Sequence, residues 1–361
     1  MPLSAWQEAD GPGGQLWHTD GARSALRAAL QREGFRSADA LAGAGLGEAL
    51  LPAYLCDTLI GPFRQHGLSV RFYDVNPDLT VDMEDLDRRM TSHTRAVLFI
   101  HYFGFLQPEP VRQFFADLRE KGVGAAHPLI FEDLTHAVWT DLPEGPVGDY
   151  AVASYRKFGQ PFDGGFLWAR GGADGAGGGG RPEPELNTWA SPAHCLSALA
   201  WALEASETDS PSGGGRRPDG PSTARTLWDG AERHYDRDRV ARSMAPGSKR
   251  MWEGLDREAL VACRRAAYRQ ALETAAACPH GEALRPHLPP GVCPLVLPMR
   301  AGTPAERGPM RAWLARKGLN TVLLWPPAPG VERDDFPGAA ETAACLASVV
   351  LPLPPGDNRA L

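Results

Sequence analysis

Lysine is scarce in this chain. Its 361 residues hold four lysines (Lys121, Lys157, Lys249 and Lys317) against 33 arginines, so a primary amine stands at very few positions. Arginine stays charged and cannot form a Schiff base, whereas lysine can, which makes each amine worth weighing for covalent chemistry. Three of the four lie in polar or helical-looking text (LREKG, GSKRM, LARKG) and read as solvated charges. No stretch approaches 18 consecutive apolar residues, which excludes a transmembrane helix. The opening MPLSAWQEADGPGG lacks the basic flank and apolar core of a secretion signal, so a soluble cytoplasmic protein is expected. Basic runs are absent too. A net charge of −7 spread along the chain argues against nucleic acid or an anionic membrane surface as partner. The six cysteines (Cys56, Cys195, Cys263, Cys278, Cys293, Cys345) lie far apart with no CxxC pair, which argues against a zinc site or a disulfide framework.

What is present centres on residues 128–168, where PLIFEDLTHAVW and GDYAVASYRKFGQPFDGGFLW each carry a short apolar run that ends in polar residues. Such runs fit strands buried on both faces, and open α/β sheets bind ligands at the carboxyl ends of their strands. Asp133, His136, Ser154 and Lys157 are therefore expected to meet in one crevice. Lys157 alone among the lysines follows a buried-strand pattern and precedes the Gly164–Gly165 pair. Spacing by itself leaves a surface lysine at a strand end equally open. His136 falls one turn after Asp133 if residues 132–138 begin a helix, which would put both side chains on one face. His101, alone at the end of an apolar strand, reads as a hydrogen-bonded structural residue.

The chain exceeds the roughly 250–300 residues that one core supports, so a large and a small domain are expected. Residues 1–17, rich in Gly and Pro, read as a loose arm. A helix follows, with Thr19 or Asp20 as cap candidates. A strand ending at Pro52 and strands at 69–73 and 96–101 alternate with helices at 58–65 and 83–90, the pattern of a mostly parallel sheet with helices on both faces. Residues 171–222 are Gly, Pro and Ser rich, too poor in apolar groups to order by themselves, around one helix with Leu196, Leu199, Ala200 and Leu203 at helical spacing. From 223 to 361 the text reads as a smaller α/β domain: a long amphipathic helix at 257–278, then strand, helix, strand, with Trp325 at a strand end.

The order Asp133, His136, Gly148, Asp149, Ser154, Lys157, Gly164, Gly165 resembles the DegT and StrS group of pyridoxal-phosphate (PLP) sugar aminotransferases. YDVNP and RAVLFIHYFG are similar to further segments of that group. The resemblance implies a fold-type I α/β transferase with 18–170 as its PLP-binding large domain. It implies Lys157 as the Schiff-base lysine, Asp133 as partner of the pyridine nitrogen, His136 at the ring hydroxyl and Ser154 at the phosphate. The gap from Ser154 to Lys157 is three residues where the group usually has five. ARSAL resembles the group's phosphate-holding helix start, which makes Arg23 and Ser24 candidate phosphate contacts. Where the group places a ring-stacking aromatic this chain has Cys56, and Tyr54 is the preferred replacement over Tyr102. The implied activity is transfer of an amino group from an amino acid, glutamate foremost, to a keto acceptor such as a keto sugar, by a homodimer. Two alternatives stand beside it: a PLP-dependent lyase, dehydratase or carbon–carbon bond-forming enzyme, and a non-catalytic ligand-binding relative.

Overall fold

The computed structural model describes residues 13–35, 47–121, 127–158, 163–171, 185–188, 196, 199–200, 223–332 and 334–352. The larger of its two sheets is built from β1 (Gly14–Thr19), β2 (Glu48–Pro52), β3 (Ser69–Tyr73), β4 (Thr94–Ile100), β5 (Leu129–Asp133), β6 (Tyr150–Ser154) and β7 (Gly165–Arg170). Their spatial order is β1-β7-β6-β5-β4-β2-β3. The five strands from β6 to β3 pair in parallel, while β7 runs antiparallel to β6 and β1 antiparallel to β7. All five residues of β6 are buried, and so are six of the seven in β4, which is why these runs are continuously apolar rather than alternating.

Between the strands lie α1 (Ala22–Arg32), α2 (Ile60–Gln65), α3 (Met83–Arg89) and α4 (Glu109–Lys121). In α1 the run from Arg23 to Leu30 is entirely buried, and the helix packs on β6 and β7. The ends of α3 follow from local chemistry. Asp82 accepts from the Asp85 amide as N-cap, Glu84 and Asp85 sit in the first turn, and Arg88 and Arg89 close the last, each charge opposing the nearer end of the helix dipole.

Downstream come α5 (Thr223–Arg237), α6 (Pro246–Glu253) and α7 (Arg257–Ala275), the last capped by Asp256. A second, antiparallel sheet in the order β10-β11-β9-β8 holds β8 (Gly281–Ala283), β9 (Val296–Ala301), β10 (Thr321–Val322) and β11 (Leu346–Val350). It carries α8 (Arg307–Arg316) and α9 (Pro337–Cys345). The two sheets are tied by backbone chemistry. Asp74, just past β3, accepts from the amides of Gly338 and Ala339 at the start of α9 (2.9 and 2.8 Å), and Leu295 donates to the Phe103 carbonyl (2.9 Å).

Several sequence expectations need correction. Gly14–Trp17 belong to β1 rather than to a loose arm, because β7 offers them a complete antiparallel register. Neither Thr19 nor Asp20 caps α1: the N-cap position is Gly21, without a side-chain cap, and the Thr19 hydroxyl donates instead to the Gly21 carbonyl. Residues 135–139 form turns and not a helix, so Asp133 and His136 are brought together by a strand end and the loop after it. Trp325 lies beyond the short β10. The expectation of loose segments around one helix at 171–222 falls largely outside the described residues. Helix α5 had no counterpart in the sequence reading. It packs back on the large sheet's side of the molecule, its Tyr235 carbonyl accepting from Arg27 at 3.0 Å.

Candidate active site

Parallel pairing gathers the carboxyl ends of β4, β5 and β6 on one edge of the sheet, and the two antiparallel strands extend that edge. Ser154 pairs with Gly165, and Gly165 pairs with Thr19, so the end of β1 and the start of α1 arrive beside the end of β6. Gly165 permits the approach. A β-carbon there would meet the Ala153 carbonyl oxygen and lie 2.9 Å from the Gly21 α-carbon. A β-carbon at Gly21 would in turn stand 3.9 Å from the Ser154 hydroxyl. The helix start is thus seated on the serine.

At this edge lies a cavity of about 380 Å³, within the size range of small-molecule sites. Asp133, His136, Ser154, Lys157, Arg23 and Cys56 all line it. Of the residues singled out from sequence, Ser24 and Tyr54 are not on its wall. Ser24 is buried within α1. Tyr54 packs behind the wall, its ring 5.2 Å from that of Trp325 and its hydroxyl 3.5 Å from the Leu324 carbonyl. Burial raises its phenol well above the usual range. Cys56 Sγ stands 3.1 Å from the Thr58 hydroxyl.

Asp133 is buried at the end of β5, and burial raises its carboxyl above the ordinary range against the opposing pull of Thr135, whose amide donates to Oδ1 at 2.7 Å, and of His101 and Lys157. Thr135 then accepts from the Ser154 amide at 3.2 Å, coupling the two strand ends. His136 is depressed to about 3, by burial first and then by the charge of Lys157, so the imidazole is neutral through the physiological range. Its Nδ1 accepts from the Phe103 amide at 3.3 Å, which fixes the tautomer with its proton on Nε2. The ring stacks between neighbours: Trp325 at 5.2 Å and 12°, Phe103 at 5.4 Å and 14°. Trp325 holds a left-handed backbone (φ 38°) to do this, a strained setting for a bulky residue.

Lys157 sits in the single turn Tyr155–Phe158 directly after β6. Ahead of it Tyr155 is wedged into the core, stacked on Trp252 at 3.4 Å with its hydroxyl 3.1 Å from His18 Nδ1, so the turn that presents the amine is anchored by its first residue. His101 is the structural residue its position suggested. Its Nε2 meets Glu132 Oε1 at 2.8 Å and its Nδ1 accepts from Gln107 at 2.8 Å, with both ring and carboxylate fully buried.

No family model matches the chain, and no curated protein does. Solved structures do. A sugar aminotransferase from Micromonospora echinospora superposes with a TM-score of 0.58 over 95% of this chain and 84% of its own, at 17% identity. A DegT DnrJ EryC1 StrS aminotransferase from Brucella abortus gives 0.56 over 95% and 83%, at 14% identity. A Streptococcus pneumoniae protein in its PLP form gives 0.61 over 93% and 82%, at 13% identity. The fold is that of the fold-type I transferases. At these identities the likeness speaks for architecture, and chemistry has to be argued from the cavity.

Sequence reasoning missed Thr135, Arg156, Glu232 and Tyr235, which also line the cavity. Arg156 gave a faint signal, standing between Ser154 and Lys157 in the shortened SYRK segment. Glu232 and Tyr235, three apart on α5, gave none, because nothing local ties that helix to the strand ends.

Proposed function

We propose that this chain is a PLP-dependent aminotransferase that moves an amino group from an amino acid donor, glutamate foremost, to a keto acceptor of the keto-sugar class. The observation that carries the reading is the convergence of Asp133 and Lys157 on one cavity, from the ends of adjacent parallel strands, with a neutral histidine lining the same cavity. The residues suit the cofactor. A buried carboxylate needs a cationic partner, which a protonated pyridine nitrogen offers, and an amine in the same cavity supplies the attachment point. Ser154 and the first amides of α1 form the end suited to its phosphate, with Arg23 beside them. When bound, the cofactor supplies an electron sink for the donor's α-carbon. The protein's part is then to place and to move protons. Lys157, freed once the donor amine takes its place on the cofactor, would be the base that accepts the proton from the donor's α-carbon and the acid that returns it; Asp133 would hold the ring nitrogen, and His136 would offer its Nε2 proton to the ring hydroxyl.

The working unit in this reading is a cytoplasmic homodimer, with a large domain from about residue 18 to 170 and a smaller one built on the second sheet. The fold's neighbours among aminotransferases support the substrate class by analogy.

Absorbance tests the reading directly. Protein incubated with PLP is expected to show a band at roughly 410–430 nm, the range such Schiff-base chromophores occupy, that bleaches on adding glutamate and is missing in Lys157→Ala. A lysine-dependent band that no amino donor bleaches would move the assignment to a lyase, dehydratase or carbon–carbon bond-forming enzyme. Absence of any band would remove PLP from the proposal.

A further inference from the structure

One cluster in the cavity is only partly used above: Arg23 stands beside the phosphate end, while Arg156 and Glu232 have no task in it. Arg23, on the first turn of α1, and Arg156, just before Lys157, each hold one oxygen of the same carboxylate: Arg23 Nη2 to Glu232 Oε2 at 2.6 Å, Arg156 Nη1 to Glu232 Oε1 at 3.2 Å. Both guanidinium carbons lie 4.8 Å from the centre of the Tyr235 ring. Burial works against ionisation of Glu232, but Arg156 and Arg23 overcome it and hold the carboxyl down at about 2. The three partners are unequal. The arginine side chains are 9% and 19% exposed, while that of Glu232 is 40% exposed. The cations belong to the wall, and the anion is the partner with solvent behind it.

Counting the cavity's charges shows what the arrangement suits. Arg23, Arg156 and Lys157 face Asp20, Asp133 and Glu232, with Asp20 in electrostatic reach of Arg156. A carboxylate offers two oxygens, and Glu232 gives one to each arginine. A phosphate monoester offers three free oxygens and up to two charges, enough for both guanidinium groups, the Ser154 hydroxyl and the α1 amides together. Arg156 Nε, buried and with no hydrogen-bond partner among the described residues, is a further donor for it.

We propose that Glu232 is an exchangeable internal counter-ion. It occupies Arg23 and Arg156 until a phosphate monoester arrives, then yields both guanidinium groups to it, which makes Arg156 a phosphate ligand. No covalent bond changes. The identity of the monoester as the cofactor's own phosphate rests on the reading above, whereas the anion exchange does not.

Inorganic phosphate is the probe, titrated calorimetrically into wild type, Glu232→Gln and Arg156→Gln, with circular dichroism as the folding control. A site blocked by its own carboxylate binds with an affinity reduced by the open fraction. Removing a pair of this strength is therefore expected to tighten phosphate binding about tenfold in Glu232→Gln, and loss of a charge-assisted ligand to weaken it about tenfold or more in Arg156→Gln. Glu232→Asp, too short to span both arginines, is expected to shift in the same direction as the glutamine variant. Unchanged or weaker binding in Glu232→Gln overturns the proposal and makes Glu232 a brace. PLP-saturated protein separates the sources: phosphate excluded by PLP identifies the cofactor's phosphate, phosphate still bound identifies a phosphorylated substrate, and the exchange holds in both. A Lys157-dependent absorption band with flat phosphate affinities would sink this inference alone. The reverse pattern would sink the cofactor reading and leave the exchange standing.

Discussion

At the scale of the residue, the candidate site is a set of charges whose environments push them apart. His136 carries the clearest pH signature. Its folded value of about 3 lies below the ordinary 6.5, so in that window the unfolded chain binds the proton and the folded chain does not. Stability is therefore complete above pH 6.5 and drains away as pH falls towards 3. Asp133, raised by burial, tilts the opposite way at the acid end, so the difference between variants is the clean measure. Urea melts from pH 7 to pH 4 are expected to show a shallower acid loss in His136→Gln than in wild type; equal slopes would count against a buried neutral imidazole. Glu132 makes a second residue-scale case. Its Oε1 meets His101 and its Oε2 accepts from the Val147 and Gly148 amides at 2.7 and 3.1 Å. Glu132→Ala strands these groups without water and is expected to cost about 3–5 kcal/mol in denaturant unfolding. Asp133, His136, Ser154 and Lys157 were legible because strand-end position in an apolar run is itself written locally. Arg156 was harder to single out in a chain of 33 arginines, since only its partners distinguish it.

Elements were legible in proportion to how local their causes are. The strand at 69–73 and the long helix from Arg257 emerge from apolar runs and caps, and the structure has them within a few residues. The antiparallel strand β1 and helix α5 were not, for the opposite reason. GQLWHT has little strand character of its own and becomes a strand only because β7 presents a partner about 150 residues away. Element packing also sets the site through Gly165, where β7 touches the start of α1. Gly165→Ala puts a methyl into the Ala153 carbonyl and the Gly21 backbone, so the helix must back away from Ser154. The expected result is a destabilisation of about 1–3 kcal/mol together with weaker phosphate binding. Lost stability with intact phosphate affinity would show that the α1 start plays no part in anion recognition.

Across the whole molecule, the stretch just past β10, Leu323 to Trp325, joins the cavity wall, and the part of the chain that carries the second sheet is tied to the large sheet by several polar links, Thr140 with Cys293 and Arg285 with the Asp78 carbonyl among them. Asp74 is the most concentrated of these. Its carboxylate caps α9 from outside, accepting from Gly338 and Ala339 and also from Val75. Buried residues of both sheets belong to one continuous core, so Asp74→Ala is expected to remove about 1–2 kcal/mol of capping and to lower a single cooperative thermal transition. Unfolding in two steps, with fluorescence changing before far-ultraviolet dichroism, would show that Asp74 is what couples the two sheets. The antiparallel edge has a further consequence for how the protein comes into being. During synthesis Gly14 through Thr19 leave the ribosome long before Gly165 through Arg170, so the strand made first must wait, unpaired, for the strand that completes it. Helix α1, which the cavity depends on, is thereby translated well before the strand that seats it against the site. A nascent chain stalled before residue 165 holds all five parallel strands together with Arg23, Ser154 and Arg156, yet lacks the strand that seats the start of α1 beside Ser154.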